Sequence, residues 1–281
     1  MEIGVNVPNY GPGTDPGVLR AWAQTVEGLG FGLLMVSDHV AVTADVAKEY
    51  PAPFYEPFTT LSWLAGMTRE LRLGTTVLIA PYRHPLLVAR MAANLADLSG
   101  GRLVLGVGVG WAKQEFDALG VPFEQRGKLT DETLLAVREA WKNEADYRAG
   151  YIPIWVGGNS NAALRRAIRL GDAWHPLRAT VGWLTDAAER LRNTAQRENR
   201  PVPGLAPRVM VRLTDRPLTD PDRLAGQGTL DQIVADLDQL RRLGAETVLL
   251  DTYGGDPRET QHPETAWRTL ASLAAAWKEN R

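Results

Sequence analysis

Short apolar segments alternate with amphipathic segments along almost the whole chain. Eight apolar segments show no alternation between apolar and polar positions, which is typical of parallel strands buried on both faces. The predicted strands are Ile3–Pro8, Leu33–Val36, Leu71–Ile79, Leu103–Val109, Pro153–Val156, Ala173–His175, Arg208–Leu213 and Thr247–Asp251. The segments between them have the spacing of helices with one apolar face.

The helical segments carry signals at both ends. Asp15 and Pro16 supply an N-cap and a first-turn proline, and Thr229 with Gln232 fits a capping box. Glycines in the left-handed conformation are predicted to end four helices, at Gly30, at Gly100 with Gly101, at Gly171 and at Gly244. The unbroken βα series predicts an α/β fold, a closed (β/α)8 barrel formed by one domain over residues 1–281, rather than an open doubly wound sheet.

Composition limits the classes of function. Lys plus Arg number 31 and Asp plus Glu number 33, so the charge balance gives no sign of a nucleic-acid partner or a membrane surface. The absence of cysteine excludes disulfides, thiolate nucleophiles and cysteine-ligated metals. The four histidines lack zinc-ligand spacing, and no apolar run is long enough to span a bilayer. The first residues do not resemble a signal peptide, so we expect a cytoplasmic protein without a bound metal.

One strand-to-helix junction carries two glycines, and it predicts a phosphate site. Gly157 and Gly158 follow the strand that begins at Pro153, and either Asn159 or Ser160 caps the next helix. Glycine leaves backbone N–H groups uncovered, and a helix N-terminus adds unpaired N–H groups and a partial positive charge. Taken alone, the pattern is equally compatible with a plain βα turn.

Further candidate residues end the second and fourth strands, where a barrel carries its chemistry. Gly106, Gly108 and Gly110 share one face, which favours a large flat group lying against the backbone; close packing of a neighbouring strand is the alternative. Asp38 could accept hydrogen bonds from a heterocycle or cap a loop. His39 could move a proton near neutral pH or simply be a hydrogen-bonded histidine at the rim.

Two loops are longer than most connections in a compact domain, and such loops are usually functional or disordered. Residues 38–58 contain four aromatic side chains and three prolines, and we interpret them as part of a substrate pocket. Residues 214–228 are rich in Asp and Arg, and we interpret them as a mobile lid or rim.

Taken together, these motifs resemble the luciferase-like flavin and deazaflavin oxidoreductases. The resemblance rests on the runs VSDH (36–39), TTVLIAPYRHP (75–85), DLSGGRLVLGVGVGW (97–111) and PIWVGGNS with GDAW (153–174). The GVGVGW form and the length are most similar to a subgroup that uses coenzyme F420. The resemblance implies a (β/α)8 TIM barrel of the luciferase-like type. It also implies a 5-deazaflavin that carries hydride, a phosphate and a glutamate tail.

The resemblance also implies roles for individual residues. Asp38 would hydrogen-bond the deazaflavin ring, and His39 would donate a proton to the substrate. The implied cofactor contacts are Val77, Ile79, Val109, Gly110 and Gln114 near the ring, and Gly157, Gly158, Ser160 and Asn161 at the phosphate. A non-proline cis peptide bond is implied between Thr76 and Val77. Trp111 occupies the place of a glutamate base found in sugar-phosphate dehydrogenases of the family, which argues against sugar oxidation.

The resulting hypothesis is an oxidoreductase that transfers hydride between coenzyme F420 and a small organic substrate. One alternative is an FMN-dependent luciferase-like monooxygenase served by a partner reductase, because FMN also carries a phosphate. The other is a non-catalytic barrel that binds a flavin or a deazaflavin. The resemblance further implies a homodimer.

Overall fold

Parallel strands form the centre of the structure, a computed structural model that describes residues 1–279. The strands, numbered in chain order, are β1 (Glu2–Asn6), β2 (Leu33–Val36), β3 (Arg72–Thr75), β4 (Leu78–Ile79), β5 (Leu103–Gly108), β6 (Ile154–Gly157), β7 (Ala173–His175), β8 (Gly204–Leu205), β9 (Arg208–Met210), β10 (Arg212–Leu213), β11 (Gln227–Gly228) and β12 (Thr247–Asp251). The α-helices are α1 (Pro16–Gly28), α2 (Val46–Glu49), α3 (Pro57–Ala65), α4 (Pro85–Leu98), α5 (Lys113–Ala118), α6 (Arg126–Trp141), α7 (Glu144–Tyr147), α8 (Asn161–Leu170), α9 (Val181–Arg197), α10 (Leu230–Arg242) and α11 (Pro263–Glu279).

The wall strands pair in parallel in the order β8-β7-β6-β5-β3-β2-β1-β12-β9, and β4 pairs with β5. Only two residues separate β8 from β9, so they are the two halves of one wall strand. β8 pairs with β7, and β9 pairs with β12. Backbone bridges from Leu177 to Arg208 and from Leu205 to Ala245 join each half to its other neighbour. The sheet therefore closes, and the predicted (β/α)8 barrel is confirmed.

Apolar side chains on both faces of the strands explain why the wall is buried. Along β2, Leu34 and Val36 belong to the large apolar cluster between wall and helices, whereas Leu33 and Met35 belong to a smaller second cluster. All four side chains are fully buried. Each such residue contributes roughly 1.5–3 kcal/mol to folding, and successive side chains of a strand point to opposite faces. The lack of polar alternation in the sequence thus reports burial on both faces.

Most of the predicted helix boundaries are confirmed. Asp15 caps α1 by accepting a hydrogen bond from the Val18 N–H group at 2.8 Å, and the capping box that starts at Thr229 is complete. Left-handed backbone follows three helices, at Gly30, Gly100, Gly101 and Gly244. The prediction is wrong for Gly171, whose φ is −105°. There, glycine is needed for close approach, because a Cβ atom would lie 2.9 Å from Val156 Cγ2.

Two of the predicted strands are interrupted. The segment 71–79 divides into β3 and β4 around the peptide bond between Thr76 and Val77, which is cis as the resemblance implied. The segment 208–213 leaves the wall after Met210, and β10 pairs with β11 instead of with a wall strand. The wall strand itself begins earlier, at Gly204. Its short pieces lie among three prolines, which lack the N–H group of a strand and hide the pattern.

Candidate active site

An open cavity of about 220 Å³ lies at the carboxyl ends of the wall strands. It brings together residues that are far apart in the sequence. Eight of the predicted site residues line it: Asp38, His39, Val77, Ile79, Val109, Gly110, Gly157 and Gly158. Eight of the fifteen residues that line the cavity are thus predicted site residues.

The three other predicted residues lie outside this lining. Gln114 is exposed on α5, where its N–H group donates to Asp45 Oδ2 at 3.0 Å. Ser160 caps α8, since its Oγ accepts a hydrogen bond from the Ala163 N–H group at 3.1 Å. Asn161 is the exposed first residue of that helix. Ser160 and Asn161 thus follow directly after the glycines that line the cavity. Gln114 is instead hydrogen-bonded to the loop of residues 38–58, called the aromatic loop below.

Hydrogen bonds fix the loop from β6 to α8, where the Gly158 N–H group donates to the His175 carbonyl oxygen at 3.3 Å. Gly158 has a φ of +112°, a conformation that favours glycine. Its carbonyl oxygen accepts a hydrogen bond from Trp174 Nε1 at 2.8 Å. The Asn159 side chain exchanges two hydrogen bonds with the Leu177 backbone, at 2.7 and 2.9 Å, so it fixes the loop and leaves the capping role to Ser160. This loop presents the N-terminus of α8 beside the cavity.

Protein atoms fill the space beside the three glycines at the end of β5. A Cβ atom at Gly106 would overlap the carbonyl oxygen of Thr75, and one at Gly108 would overlap the Val77 side chain. At Gly110 a Cβ atom would meet the nearest side chain at 2.8 Å. The interpretation of a flat ligand along all three glycines is therefore wrong. Close packing by the neighbouring strand segment accounts for the whole stripe.

Asp38 is buried, and its carboxylate accepts hydrogen bonds from two neighbouring residues. The guanidinium of Arg83 donates to both of its carboxylate oxygens, at 2.7 and 2.9 Å, and the Ile79 N–H group donates at 2.9 Å. Burial raises the pKa of the Asp38 carboxyl, and the hydrogen bonds from Arg83 and Ile79 oppose part of that rise. The requirement that a buried aspartate be paired is confirmed. Arg83 was missed, although it stands in the run that carried the resemblance.

His39 is paired with a carboxylate that sequence reasoning did not find. Its Nδ1 lies 2.6 Å from Oε2 of Glu115, which is on α5 and fully buried. The same carboxylate accepts hydrogen bonds from the N–H groups of Val40 and Ala41, at 2.6 and 3.0 Å, and from the Tyr82 hydroxyl at 2.8 Å. Burial alone would raise the pKa of Glu115, but His39 and the backbone donors outweigh burial and hold that pKa below its ordinary value.

Aromatic side chains surround the His39 imidazole. Its ring centroid lies 5.3 Å from that of Tyr50, 5.4 Å from that of Phe54 and 5.7 Å from that of Trp111. Tyr50 and Trp111 also line the cavity, and Trp111 is 46% exposed. Tyr50 and Phe54 come from the loop 38–58. This loop thus contributes Tyr50 to the cavity wall, and its role in a substrate pocket stays a prediction.

The charged loop lies elsewhere. Within residues 214–228, Arg223 donates to both carboxylate oxygens of Asp236 on α10, at 2.6 and 2.7 Å. The backbone of Leu218 is bound to the Gln232 side chain on the same helix. None of the described residues of this loop lines the cavity. Side chains of α10 hold the loop in place, and its interpretation as a mobile lid or rim stays a prediction.

Two further histidines, His175 and His84, are not in a position to exchange protons in the cavity. His175 is buried, and its Nδ1–H donates to the Ala206 carbonyl while Nε2 accepts a hydrogen bond from the Thr76 hydroxyl at 2.9 Å. Burial, aided by the charge of Arg208, lowers the pKa of His175 to about 4, so its ring is neutral at neutral pH. His84 is exposed and caps α4. His175 thus lies in the buried interior of the barrel.

A buried ion pair forms the floor of the cavity. Nε and Nη2 of Arg208 donate to Asp251 Oδ2, at 2.9 and 2.7 Å, and Nη1 donates to the Thr76 carbonyl at 3.0 Å. Asn6 Nδ2 donates to the other carboxylate oxygen of Asp251 at 3.0 Å. Arg208 also lines the cavity. Sequence reasoning placed Arg208 in a strand but assigned it no role, because a single arginine carries no motif.

This arrangement fits a flavin-type cofactor. Val77, Ile79 and Val109 give the cavity an apolar wall suited to a flat ring. Arg208 and the carboxylate of Asp38 offer polar partners for the heteroatoms of such a ring. The N-terminus of α8 offers N–H groups to a phosphate, whereas the Gly158 N–H group already donates to the His175 carbonyl oxygen at 3.3 Å.

Among residues 1–279, no group of three or more His, Asp or Glu side chains is placed to hold a metal ion. Within the same range, no helix is both long and apolar enough to cross a membrane.

Sequence comparisons connect this site to known proteins. A family model for luciferase-like monooxygenases matches residues 1–216. An uncharacterised protein of Mycobacterium tuberculosis is 33% identical over 180 residues, which is 54% of this chain and 62% of that protein. A phthiodiolone/phenolphthiodiolone dimycocerosates ketoreductase of the same species is 30% identical over 165 residues, which is 51% of this chain and 43% of that protein. The matched part thus covers less than two thirds of the length of either relative.

Solved structures with the same fold cover almost the whole chain. The monooxygenase RslO1 from Streptomyces bottropensis has a TM-score of 0.77 at 20% identity, covering 100% of this chain and 99% of that chain. An F420-dependent secondary alcohol dehydrogenase, solved with an F420-acetone adduct, has a TM-score of 0.74 at 15% identity, covering 97% and 99%. A type II Baeyer-Villiger monooxygenase from Pseudomonas putida, solved with FMN, has a TM-score of 0.73 at 16% identity, covering 98% and 97%. These likenesses show the fold, and the match to the family model shows that the sequence shares it. The resemblance to the luciferase-like family is confirmed: the chain belongs to the luciferase-like monooxygenase family.

Proposed function

We propose that the protein transfers hydride between coenzyme F420 and a small organic substrate, with a ketone or an aldehyde as the substrate class to test first. The carbonyl class is supported by the ketoreductase and the secondary alcohol dehydrogenase among the similar proteins. The choice of F420 over FMN is supported by the motifs that resemble the F420-dependent subgroup.

One observation carries the proposal. A single cavity contains the glycines that lead to the N-terminus of α8, the buried carboxylate of Asp38 and the imidazole of His39. A ring held between these groups, with its phosphate at α8, would lie beside a side chain able to exchange a proton. This combination is what a hydride transfer between a flavin-type cofactor and a carbonyl group requires.

In this proposal each residue of the cavity has a separate role. When bound, coenzyme F420 supplies or accepts the hydride. The first turn of α8 holds the phosphate, and Asp38 accepts a hydrogen bond from the ring while Arg83 balances its charge. Val77 and Ile79 exclude water from one face of the ring. His39 gives a proton to the carbonyl oxygen as the carbonyl carbon receives hydride, and it takes the proton back in the reverse direction.

The test begins with binding. The purified protein is titrated separately with oxidised F420 and with FMN, and binding is followed by absorbance and by tryptophan fluorescence. Reduced F420 is then supplied with a panel of small ketones and aldehydes, and its reoxidation is measured without oxygen. Tight binding of F420 together with ketone-dependent reoxidation supports the proposal, and binding of FMN alone contradicts it.

The second candidate is an FMN-dependent monooxygenase with a partner reductase. It is supported by RslO1 and by the FMN-bound monooxygenase among the structures that share the fold. The same titrations decide between the two, because this candidate predicts tight binding of FMN and consumption of oxygen when reduced FMN is supplied. Binding of either cofactor without turnover on any substrate favours the non-catalytic barrel.

The assembly and setting of the protein remain predictions. We propose one domain over residues 1–281, a homodimer and a cytoplasmic location. Light scattering coupled to gel filtration measures the mass in solution directly, and a monomer at micromolar concentration would contradict the dimer.

A further inference from the structure

We infer that Glu115 is a positioning residue for His39: it holds Nδ1 as a hydrogen-bond donor and so makes Nε2 the atom that gives and takes the proton. The inference deepens the proposed function and rests on it for the identity of the proton acceptor. The dyad itself rests only on geometry within the chain.

The geometry fixes the orientation of the imidazole. Nδ1 of His39 lies 2.6 Å from Glu115 Oε2, and an ionised carboxylate can only accept hydrogen bonds. Nδ1 therefore carries a proton in either charge state of the ring. The two ring nitrogens lie on different sides of an imidazole, so Nε2 points away from Glu115. Tyr50 and Trp111 flank the ring and limit its rotation.

The carboxylate is itself firmly fixed. Glu115 is fully buried, and the N–H groups of Val40 and Ala41 both donate to its Oε1. The Tyr82 hydroxyl donates to Oε2, the oxygen that also faces His39. A carboxylate with four donors and no contact with solvent is held in its charged form, so it accepts the hydrogen bond of the His39 Nδ1–H group.

The charged and titratable groups around the dyad come from several elements. Tyr50 faces the His39 ring from the aromatic loop, and Tyr82 faces Glu115 from the 3₁₀ turn before α4. Asp38 precedes His39, and Arg83 neutralises it through two hydrogen bonds. Asp45 is bound to the backbone of α5 next to Glu115. With Asp38 paired to Arg83, Glu115 is the carboxylate in direct contact with the imidazole.

The proton step then follows from this arrangement. As a carbonyl carbon receives the hydride, the carbonyl π electrons move to the oxygen. The oxygen takes the proton from Nε2 of the imidazolium, and the N–H electron pair stays on Nε2. His39 is left neutral with its proton on Nδ1, still bonded to Glu115, and solvent restores the Nε2 proton. In the reverse direction, neutral Nε2 accepts the alcohol proton.

Tyr82 is a weaker candidate for the proton donor. Its hydroxyl proton is already donated to Glu115 at 2.8 Å. Burial, with the charge of Glu115 next in importance, raises the pKa of Tyr82 well above its ordinary value. A proton held so tightly is poorly matched to transfer near neutral pH. The structure instead gives Tyr82 the task of fixing the carboxylate.

The first experiment measures the protonation of His39 directly. In the full chain labelled with ¹³C at histidine Cε1, the His39 signal is assigned with the variant His39→Gln and titrated with pH. We expect Glu115→Gln to lower the His39 midpoint by about one to three pH units, the usual effect of removing an adjacent opposite charge. The matched control is Asp117→Asn on the same helix, whose carboxylate pairs with Lys113 at the surface. It should leave the midpoint unchanged.

A second variant keeps the test decisive if Glu115→Gln does not fold. Tyr82→Phe removes one donor to Oε2, so the carboxylate attracts the His39 proton more strongly. The His39 midpoint should then rise, opposite in direction to the effect of Glu115→Gln. A merely structural role for Glu115 would not shift the same midpoint in opposite directions. A midpoint that moves in neither variant overturns the inference.

The kinetic readout links the dyad to the reaction. In Glu115→Gln, ketone reduction should begin to fall with rising pH about one to three pH units earlier than in the unsubstituted protein, with KM for the ketone little changed. A moved His39 midpoint with an unmoved pH profile overturns the role in proton transfer. Failure of the proposed function is distinguishable, because it shows in the cofactor titrations, whereas the histidine titration needs no cofactor.

Discussion

Arg83 holds both carboxylate oxygens of Asp38 in a buried, two-pronged ion pair, with distances of 2.7 and 2.9 Å. Asp38 is 2% exposed, so water cannot replace the guanidinium. Each carboxylate oxygen has more than one acceptor site, which leaves room for a donor from the cavity. The ion pair thus stabilises the fold near the cavity, and its carboxylate also forms part of the polar lining of the predicted ring site.

Removing the Arg83 side chain should lower the stability of the fold. In Arg83→Met, the Asp38 carboxylate stays buried without its partner, and we expect the free energy of unfolding to fall by about 3–5 kcal/mol. Urea denaturation followed by tryptophan fluorescence measures the change. The double variant Asp38→Asn with Arg83→Met should recover much of it, because no charge is then left buried. Lys113→Met is the matched control at an exposed pair and should cost less than about 1 kcal/mol. A cost for Arg83→Met no larger than that of the control would contradict the buried pair.

The barrel could be predicted because its signals are local. A strand buried on both faces can be recognised from four or five consecutive apolar residues, as in β2. Each helix start depends on residues within one turn, as at Asp15. The seventh wall strand was placed poorly for the same reason: Gly204 and Leu205 offer too short an apolar segment between prolines.

The pairing of side chains in the site could not be predicted in the same way. Glu115 is 76 residues from His39, and its run, KQEFDA, reads as an ordinary exposed helix. Arg208 and Asp251 are 43 residues apart on neighbouring strands. Such pairs depend on which residues the barrel places side by side, and neither composition nor periodicity carries that information. The resemblance supplied positions such as His39, but not the partners that set their charge.

The phosphate prediction can be tested at Gly157. A Cβ atom there would lie 2.8 Å from Cγ1 of Val77, so Gly157→Val should push apart the loop and the segment beside the ring. We expect F420 affinity to fall by roughly 10²-fold or more, since a displacement of about 1 Å has effects of this size, while circular dichroism still shows a folded barrel. The control is Gly28→Ala at the end of α1, where a Cβ atom meets nothing within 4 Å. An unchanged affinity in a folded Gly157 variant rules out this loop as the phosphate site.

His175 should make stability depend on pH. Its pKa is about 4 in the folded protein, below the ordinary value of 6.5, because the ring is buried. The unfolded chain therefore binds a proton between these values while the folded chain does not. The stabilising contribution is complete above about pH 6.5 and is lost as the pH falls toward about 4, by about 3 kcal/mol in total. Denaturation curves of His175→Gln should show a smaller loss over this interval, whereas His84→Gln, at an exposed site, should follow the unsubstituted protein. Parallel pH curves for all three proteins would show that His175 does not titrate as described.

Variants of His39 should separate the effect on F420 affinity from the effect on turnover. Its ring lies at the cavity with Nδ1 bound to Glu115, and the remaining nitrogen is free to serve a substrate. We expect His39→Ala to keep F420 affinity within a few-fold and to lower turnover by roughly 10²–10⁴-fold, the usual range for loss of a general acid. His39→Gln should lose the same turnover with less loss of stability, because its amide still donates to Glu115. His84→Ala, an exposed histidine on α4, should leave turnover unchanged. If turnover survives in His39→Ala, solvent or Tyr82 supplies the proton. If F420 binding collapses in His39→Gln as well, the imidazole belongs to the ring site itself, and the division of roles between Asp38 and His39 is wrong.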